Sequence, residues 1–130
     1  HSFPTRRSSD LNKVKSLTKA ELQLMNILWD KGESTVSAIH ESLKDPKPAY
    51  TTVLTVFQVL TKKGIVSFRK EGKQHVYMPI LTREEYIGNF MDETCENLFG
   101  GSARSFFSFF ATREKITKKE LEEILKEMGD

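Results

Sequence analysis

A mainly α fold with a small β-hairpin, followed by a C-terminal helical module, is what the sequence predicts. Three observations predict it. Thr18, Thr82 and Thr117 each stand three residues before a glutamate and open an apolar stripe at helical spacing. The segment AYTTVLTVFQVLTKK, residues 49–63, reads as an amphipathic helix that stops at Gly64. Two short β-prone runs follow, joined around Glu71-Gly72-Lys73.

The elements follow in order. Thr18 and Glu21 form a capping box, and Leu22, Met25, Leu28 and Trp29 recur at helical spacing until Lys31-Gly32 ends the first helix. Thr35 caps a second helix carrying Val36, Ile39 and Leu43. Asp45-Pro46-Lys47-Pro48 cannot continue it, because proline lacks the N–H and restricts the residue before it. The third helix opens near Ala49-Tyr50, buries Val53, Val56, Phe57 and Leu60, and ends with Lys62-Lys63, where the helix dipole favours cations. The strands are expected at 65–69 and 74–78. Three helices and a hairpin in that order are the plan of a winged helix-turn-helix domain.

A fourth helix starts at the Thr82–Glu85 box and carries Tyr86, Ile87, Phe90, Met91, Thr94, Cys95 and Leu98 until Gly100-Gly101 break it. Ser102 caps a fifth, with Phe106, Phe107, Phe109 and Phe110. The last helix, after the Thr117–Glu120 box, places Leu121, Ile124, Leu125 and Met128 on one face. The four phenylalanines cannot all face one side of one helix. They imply either an intramolecular core or, on the larger argument of exposed apolar area, a surface covered by a second chain that exchanges helices with the first.

The first eleven residues, HSFPTRRSSDL, are set aside. They read as the in-frame translation of a short-read sequencing adapter, with a natural disordered arm as the alternative. The expected organisation is therefore an adapter-derived or disordered segment at 1–11, a winged-helix domain at 12–80 and a helical dimerisation domain at 81–130.

Charge is uninformative as a total and informative as a pattern. The whole chain carries +2, but residues 12–80 carry +5 and residues 81–130 carry −4. A basic front and an acidic back suit a nucleic-acid reader joined to a partner-binding module; chance segregation is the bland alternative. No apolar run reaches membrane-span length, so no membrane insertion is expected. The single cysteine, Cys95, cannot form an internal disulfide and is expected to pack in the fourth helix. These features point to a cytoplasmic protein.

Candidate contact residues lie on the third helix and the hairpin. Helical period places Val53, Val56 and Leu60 inward and Thr51, Thr52 and Thr55 outward. Threonine hydroxyls can bond base edges or phosphates, and their methyls can touch thymine. An ordinary solvated face is the competing reading. Tyr50 and Lys62 flank this face. On the hairpin, Arg69, Lys70, Lys73 and His75 can neutralise phosphates; protection of an edge strand by charge is the alternative. No phosphate-binding glycine loop, HExxH or nucleophile motif is present, so no enzyme is expected, and no cofactor or metal site either. His40 and His75 have no acid–base partner by spacing.

Four stretches carry a resemblance: LTKAELQLMNILWDKG at 17–32, YTTVLTVFQVLTKKG at 50–64, EGKQHVYMPILTREEY at 71–86 and LFGGS at 98–102. Across 16–128 the chain resembles the penicillinase repressor family of winged-helix transcription regulators. The resemblance implies a homodimeric repressor of a palindromic operator in double-stranded DNA, with the C-terminal helices dimerising. It carries recognition-helix roles onto Thr52 and Thr55, while Thr51 and Leu54 stand where some relatives have longer polar or basic side chains. It also implies a membrane sensor metalloprotease that triggers cleavage among the C-terminal helices. The cut in some such relatives falls at an Asn–Phe bond; the corresponding place here is Phe109-Phe110, so the asparagine of that bond is missing. Copper-responsive relatives carry paired cysteines that this chain, with Cys95 alone, does not. The alternative function is a winged-helix protein-interaction module without sequence-specific DNA binding.

Overall fold

The computed structural model describes residues 16–129; the segment 1–11 lies outside the described residues. The elements are α1 (Lys19–Lys31), β1 (Ser34–Thr35), α2 (Val36–Ser42), α3 (Tyr50–Lys62), β2 (Val66–Glu71), β3 (Gln74–Pro79), α4 (Arg83–Phe99), α5 (Ala103–Arg113) and α6 (Lys118–Met128). The chain divides into two compact units after Phe90.

In the first unit, Thr18 and Glu21 form the expected reciprocal box at the start of α1. Gly32, at φ 86°, ends the helix and donates its N–H to the Leu28 carbonyl. The buried arc of α1 is Glu21, Leu24, Met25 and Leu28. Leu22 and Trp29 lie at the edge of that arc and are half-buried. The Thr35 hydroxyl accepts the Ala38 N–H and starts α2. Val53, Phe57 and Leu60 of α3 are buried, whereas Val56, expected in the same stripe, is only half-buried. Phe57 packs against Tyr77 with ring centroids 5.0 Å apart. Truncating so enclosed a ring to alanine typically costs about 3–5 kcal/mol.

The hairpin is longer than the sequence suggests. Its ladder runs from Val66↔Pro79 to Glu71↔Gln74, leaving a two-residue Gly72-Lys73 turn with Gly72 at φ 63°. A third strand was not expected. Ser34 and Thr35 pair with Tyr77 and Val76 and make the sheet order β1-β3-β2. Two residues are too short for any periodicity to signal.

Residues beyond Pro79 also pack in this unit, which runs to Phe90. Leu81 is buried and its carbonyl accepts the Trp29 Nε1–H at 2.9 Å. Arg83 pairs with Asp30 at 2.9 Å and lies 5.3 Å from the Trp29 ring centre. Tyr86, expected to serve dimerisation, packs on Trp29, with ring centroids 6.0 Å apart.

The second unit begins at Met91. Ser102 and Thr117 cap α5 and α6 as expected, and Gly100 and Gly101 separate α4 from α5 in left-handed conformations. Phe99 gathers Phe106 and Phe109 at 5.2 and 5.7 Å. No residue of α4, α5 or α6 is buried. Among the described residues, no helix is long and apolar enough to cross a membrane.

Candidate nucleic-acid interface

The outward face of α3 is built by default from what its inward face must do. With Val53, Phe57 and Leu60 committed to the core, helical geometry turns Thr51, Thr55 and Lys62 to solvent, and Thr52 lies on the same exposed side. The Thr55 hydroxyl donates to the Thr51 carbonyl at 2.9 Å, so its proton is used within the helix and its oxygen can still accept. Gln58 also sits on this face and is exposed. The sequence reading passed over it, although it lies one turn beyond Thr55 and two turns beyond Thr51. Its amide can both donate and accept at a base edge.

The start of α3 has no side-chain cap. The approach to it is held from α2 instead: His40 Nε2 lies 2.9 Å from the Pro48 carbonyl, and the His40 ring meets Tyr50 edge-on at 5.9 Å. Tyr50 itself is exposed. At the other end, Lys63 reaches back to Glu21 at 2.8 Å. Both ends of α3 are therefore tied to the helices beneath it.

Strand alternation sorts the wing residues onto two faces. Val66, Phe68, Lys70, His75 and Tyr77 share the face toward α3, as the Phe57–Tyr77 packing shows. Phe68 and His75 stack at 4.3 Å with an interplanar angle of 14°. Between this face and α3 lies an open groove of about 440 Å³, lined among others by Tyr50, Leu54, Gln58, Phe68 and Lys73. Lys62, Lys70 and Lys73 are exposed and make no ion pair among the described residues. His75 is half-buried in its stack.

Arg69 stands apart from the other cations of the wing. It lies on the opposite face, where Nη1 and Nη2 donate to the two Glu33 oxygens at 2.9 and 2.8 Å. Its Nε donates to Glu71 Oε2 at 2.8 Å. Hydrogen bonds from Arg69, then its charge, hold the Glu33 carboxyl below the ordinary carboxylate value. The same bonds, from Glu33 first and Glu71 second, push the guanidinium further up. Of the cations expected to meet phosphate, Arg69 is the one already neutralised.

In the second unit, Leu98, Phe107, Phe109, Phe110, Ile124, Leu125 and Met128 are exposed, as is Phe90 at the end of the first. Phe106 and Leu121 are half-buried, and Cys95 is a half-buried free thiol. Among the described residues, no three His, Cys, Asp or Glu side chains converge on a metal position.

A helix whose free face carries hydroxyl and amide groups, flanked by a hairpin with unpaired lysines, defines a winged-helix transcription regulator. The comparisons place it more narrowly. A family model described as "Penicillinase repressor" matches residues 17–129, and the chain belongs to that family. It is similar to "Transcriptional regulator BlaI" of Mycobacterium tuberculosis (strain CDC 1551 / Oshkosh), 34% identical over 104 residues, covering 78% of this chain and 75% of that protein. It is also similar to "Penicillinase repressor" of Bacillus licheniformis, 25% identical over 115 residues, covering 88% and 90%. Among solved structures it resembles the DNA-binding domain of the repressor BlaI in solution, with TM-score 0.50 and 26% identity, covering 56% of this chain and 90% of that one. These relatives are repressors and regulators, not enzymes.

Proposed function

We propose that this chain is a homodimeric repressor that reads a palindromic operator in double-stranded DNA. The single observation that carries the reading is the free face of α3: Thr51, Thr52, Thr55 and Gln58 are exposed together while both helix ends are anchored. In this reading α3 enters the major groove and Tyr50 flanks its N-terminal end. Lys62, Lys70 and Lys73 meet phosphates, with His75 lining the groove beside them. Family membership supports repression as the outcome.

Dimerisation rests on the second unit. Helices with no buried residue and with Leu98, Leu125 and Met128 at 74%, 63% and 74% exposure do not bury enough apolar surface alone. A second copy, packing its own second unit, 91–130, against this one, supplies the missing cover. Two α3 helices related by a two-fold axis then read half-sites about one DNA turn apart. Induction by a membrane sensor metalloprotease rests on the family resemblance; the exposure of Phe109 and Phe110 in α5 is compatible with a cut there.

The experiment is selection from random duplexes by the protein lacking residues 1–11, at near-physiological salt. Enrichment of a two-fold symmetric site is expected. Salt-sensitive binding with no enriched site would mean an unspecific DNA binder. No binding at all would favour a winged-helix interaction module.

A further inference from the structure

Arg69 commits all three of its guanidinium nitrogens to carboxylates, and it lies on the face of the wing opposite the one that carries Lys70. We propose that Arg69 is a positioning residue that latches the wing through Glu33, and not a phosphate ligand. The inference rests on the DNA-binding reading above and deepens it.

Three observations carry it. The first is topological. β1 flanks the hairpin only at Tyr77 and Val76, so the outer part of the wing, residues 70–75, is a bare two-stranded ribbon. Such a ribbon is marginal on its own. Arg69 pairs with Val76, at the last rung where β1 still stands alongside. Its side chain crosses β3 to Glu33, the residue that follows the end of α1 at Gly32. The root of the wing is thereby tied to α1.

The second is geometric. All three guanidinium nitrogens already donate to carboxylates, two of them in a forked pair with Glu33. Forked arginine–carboxylate pairs are the exposed ion pairs whose geometry is restrictive enough to hold position. The bond to Glu71 extends the same hold to the residue that precedes the turn.

The third is the sign of the charge. Glu33, Arg69 and Glu71 together carry −1. The outer face of the wing repels phosphate, and the inner face with Lys70 attracts it. The latch therefore also makes the wing one-sided.

The test turns on a sign. Glu33→Gln removes a negative charge near DNA. If Arg69 served phosphate, this would free it and tighten binding. If Arg69 is a latch, binding weakens, by about two- to five-fold for an exposed pair of this kind. Arg69→Lys keeps the charge and loses the fork, so it should weaken binding like Glu33→Gln. Arg69→Ala should weaken binding while leaving the slope of log affinity against log salt unchanged. The full chain is titrated with the selected duplex over a salt series, after thermal melts establish that each variant is folded. Hydrogen exchange of the 69–76 amides, measured without DNA, should be faster in Glu33→Gln. Tighter or unchanged binding by Glu33→Gln, or a slope reduced in Arg69→Ala by about 0.9, one phosphate's worth, would overturn the proposal. Unchanged exchange would overturn it equally. If the unmodified protein binds no duplex, the DNA-binding reading fails instead, and exchange still decides the latch.

Discussion

Lys63 donates to Glu21 Oε2 at 2.8 Å, across 42 positions of sequence. The pair joins the capping box of α1 to the C-terminal end of α3. Glu21 is almost wholly buried, and its other oxygen accepts the Thr18 N–H at 2.9 Å. One carboxylate thus starts one helix and anchors the other. This contact adds to the apolar core in fixing how α3 sits against α1.

Acid should weaken the fold through this pair. Burial pushes the Glu21 carboxyl up, but the Lys63 and Thr18 hydrogen bonds and the Lys63 charge outweigh it and hold the group below 4.5. A depressed carboxyl contributes stability that is complete above its unfolded value and is lost as pH falls through the folded one. Glu21→Gln keeps the cap acceptor and loses the charge. It should cost about 1.5–3 kcal/mol at neutral pH, the range for hydrogen bonds to charged groups. Melting curves down to strongly acidic pH should show the gap from the unmodified protein closing below about pH 4.5. A gap constant with pH would take Glu21 out of the acid response.

Thr52, Thr55 and Gln58 should carry sequence preference. Thr52→Ala and Thr55→Ala are expected to weaken operator binding by about 1 kcal/mol each, the scale of one hydrogen bond. Gln58→Ala should cost about 1–3 kcal/mol if its amide meets adenine. Binding to random duplex should barely change. Thr55→Val separates two uses of one side chain: retained affinity assigns the methyl, and lost affinity assigns the hydroxyl. Equal losses on operator and random DNA would count against base reading here.

Lys73 occupies the turn of the wing and has no internal partner among the described residues. Lys73→Ala should flatten the salt dependence of affinity by about 0.9 in slope, one released counterion's worth. A slope equal to that of the unmodified protein would remove Lys73 from the contact set.

Leu125 tests the proposed dimer. Leu125→Glu places a charge in the middle of the apolar stripe of α6, where Leu125 is 63% exposed in the single chain. Sedimentation should show a monomer at concentrations where the unmodified protein is a dimer. Operator affinity should fall steeply with it, while the melting of the first unit stays in place. A variant that remains dimeric would move the dimer surface off α6.

The sequence by itself determined where the helices begin and end. Thr18, Thr82 and Thr117 with their glutamates, and Gly32 and Gly64 at the stops, act within a few residues, so their signals are local and survive in a linear reading. The free hydroxyl face of α3 followed from helical period alone. Tertiary structure decided what no local signal encodes. Strand β1 is two residues long and exists only because Tyr77 and Val76 lie beside it. Tyr86 lies in the first unit, packed on Trp29, a residue far away in sequence. Arg69 and Lys70 are neighbours of the same charge, and the pleat sends them to opposite faces. One meets Glu33, 36 residues away, and the other stays free. Which cation is spent on the fold and which remains available is a question of partners brought together by folding, and residue type alone does not contain it.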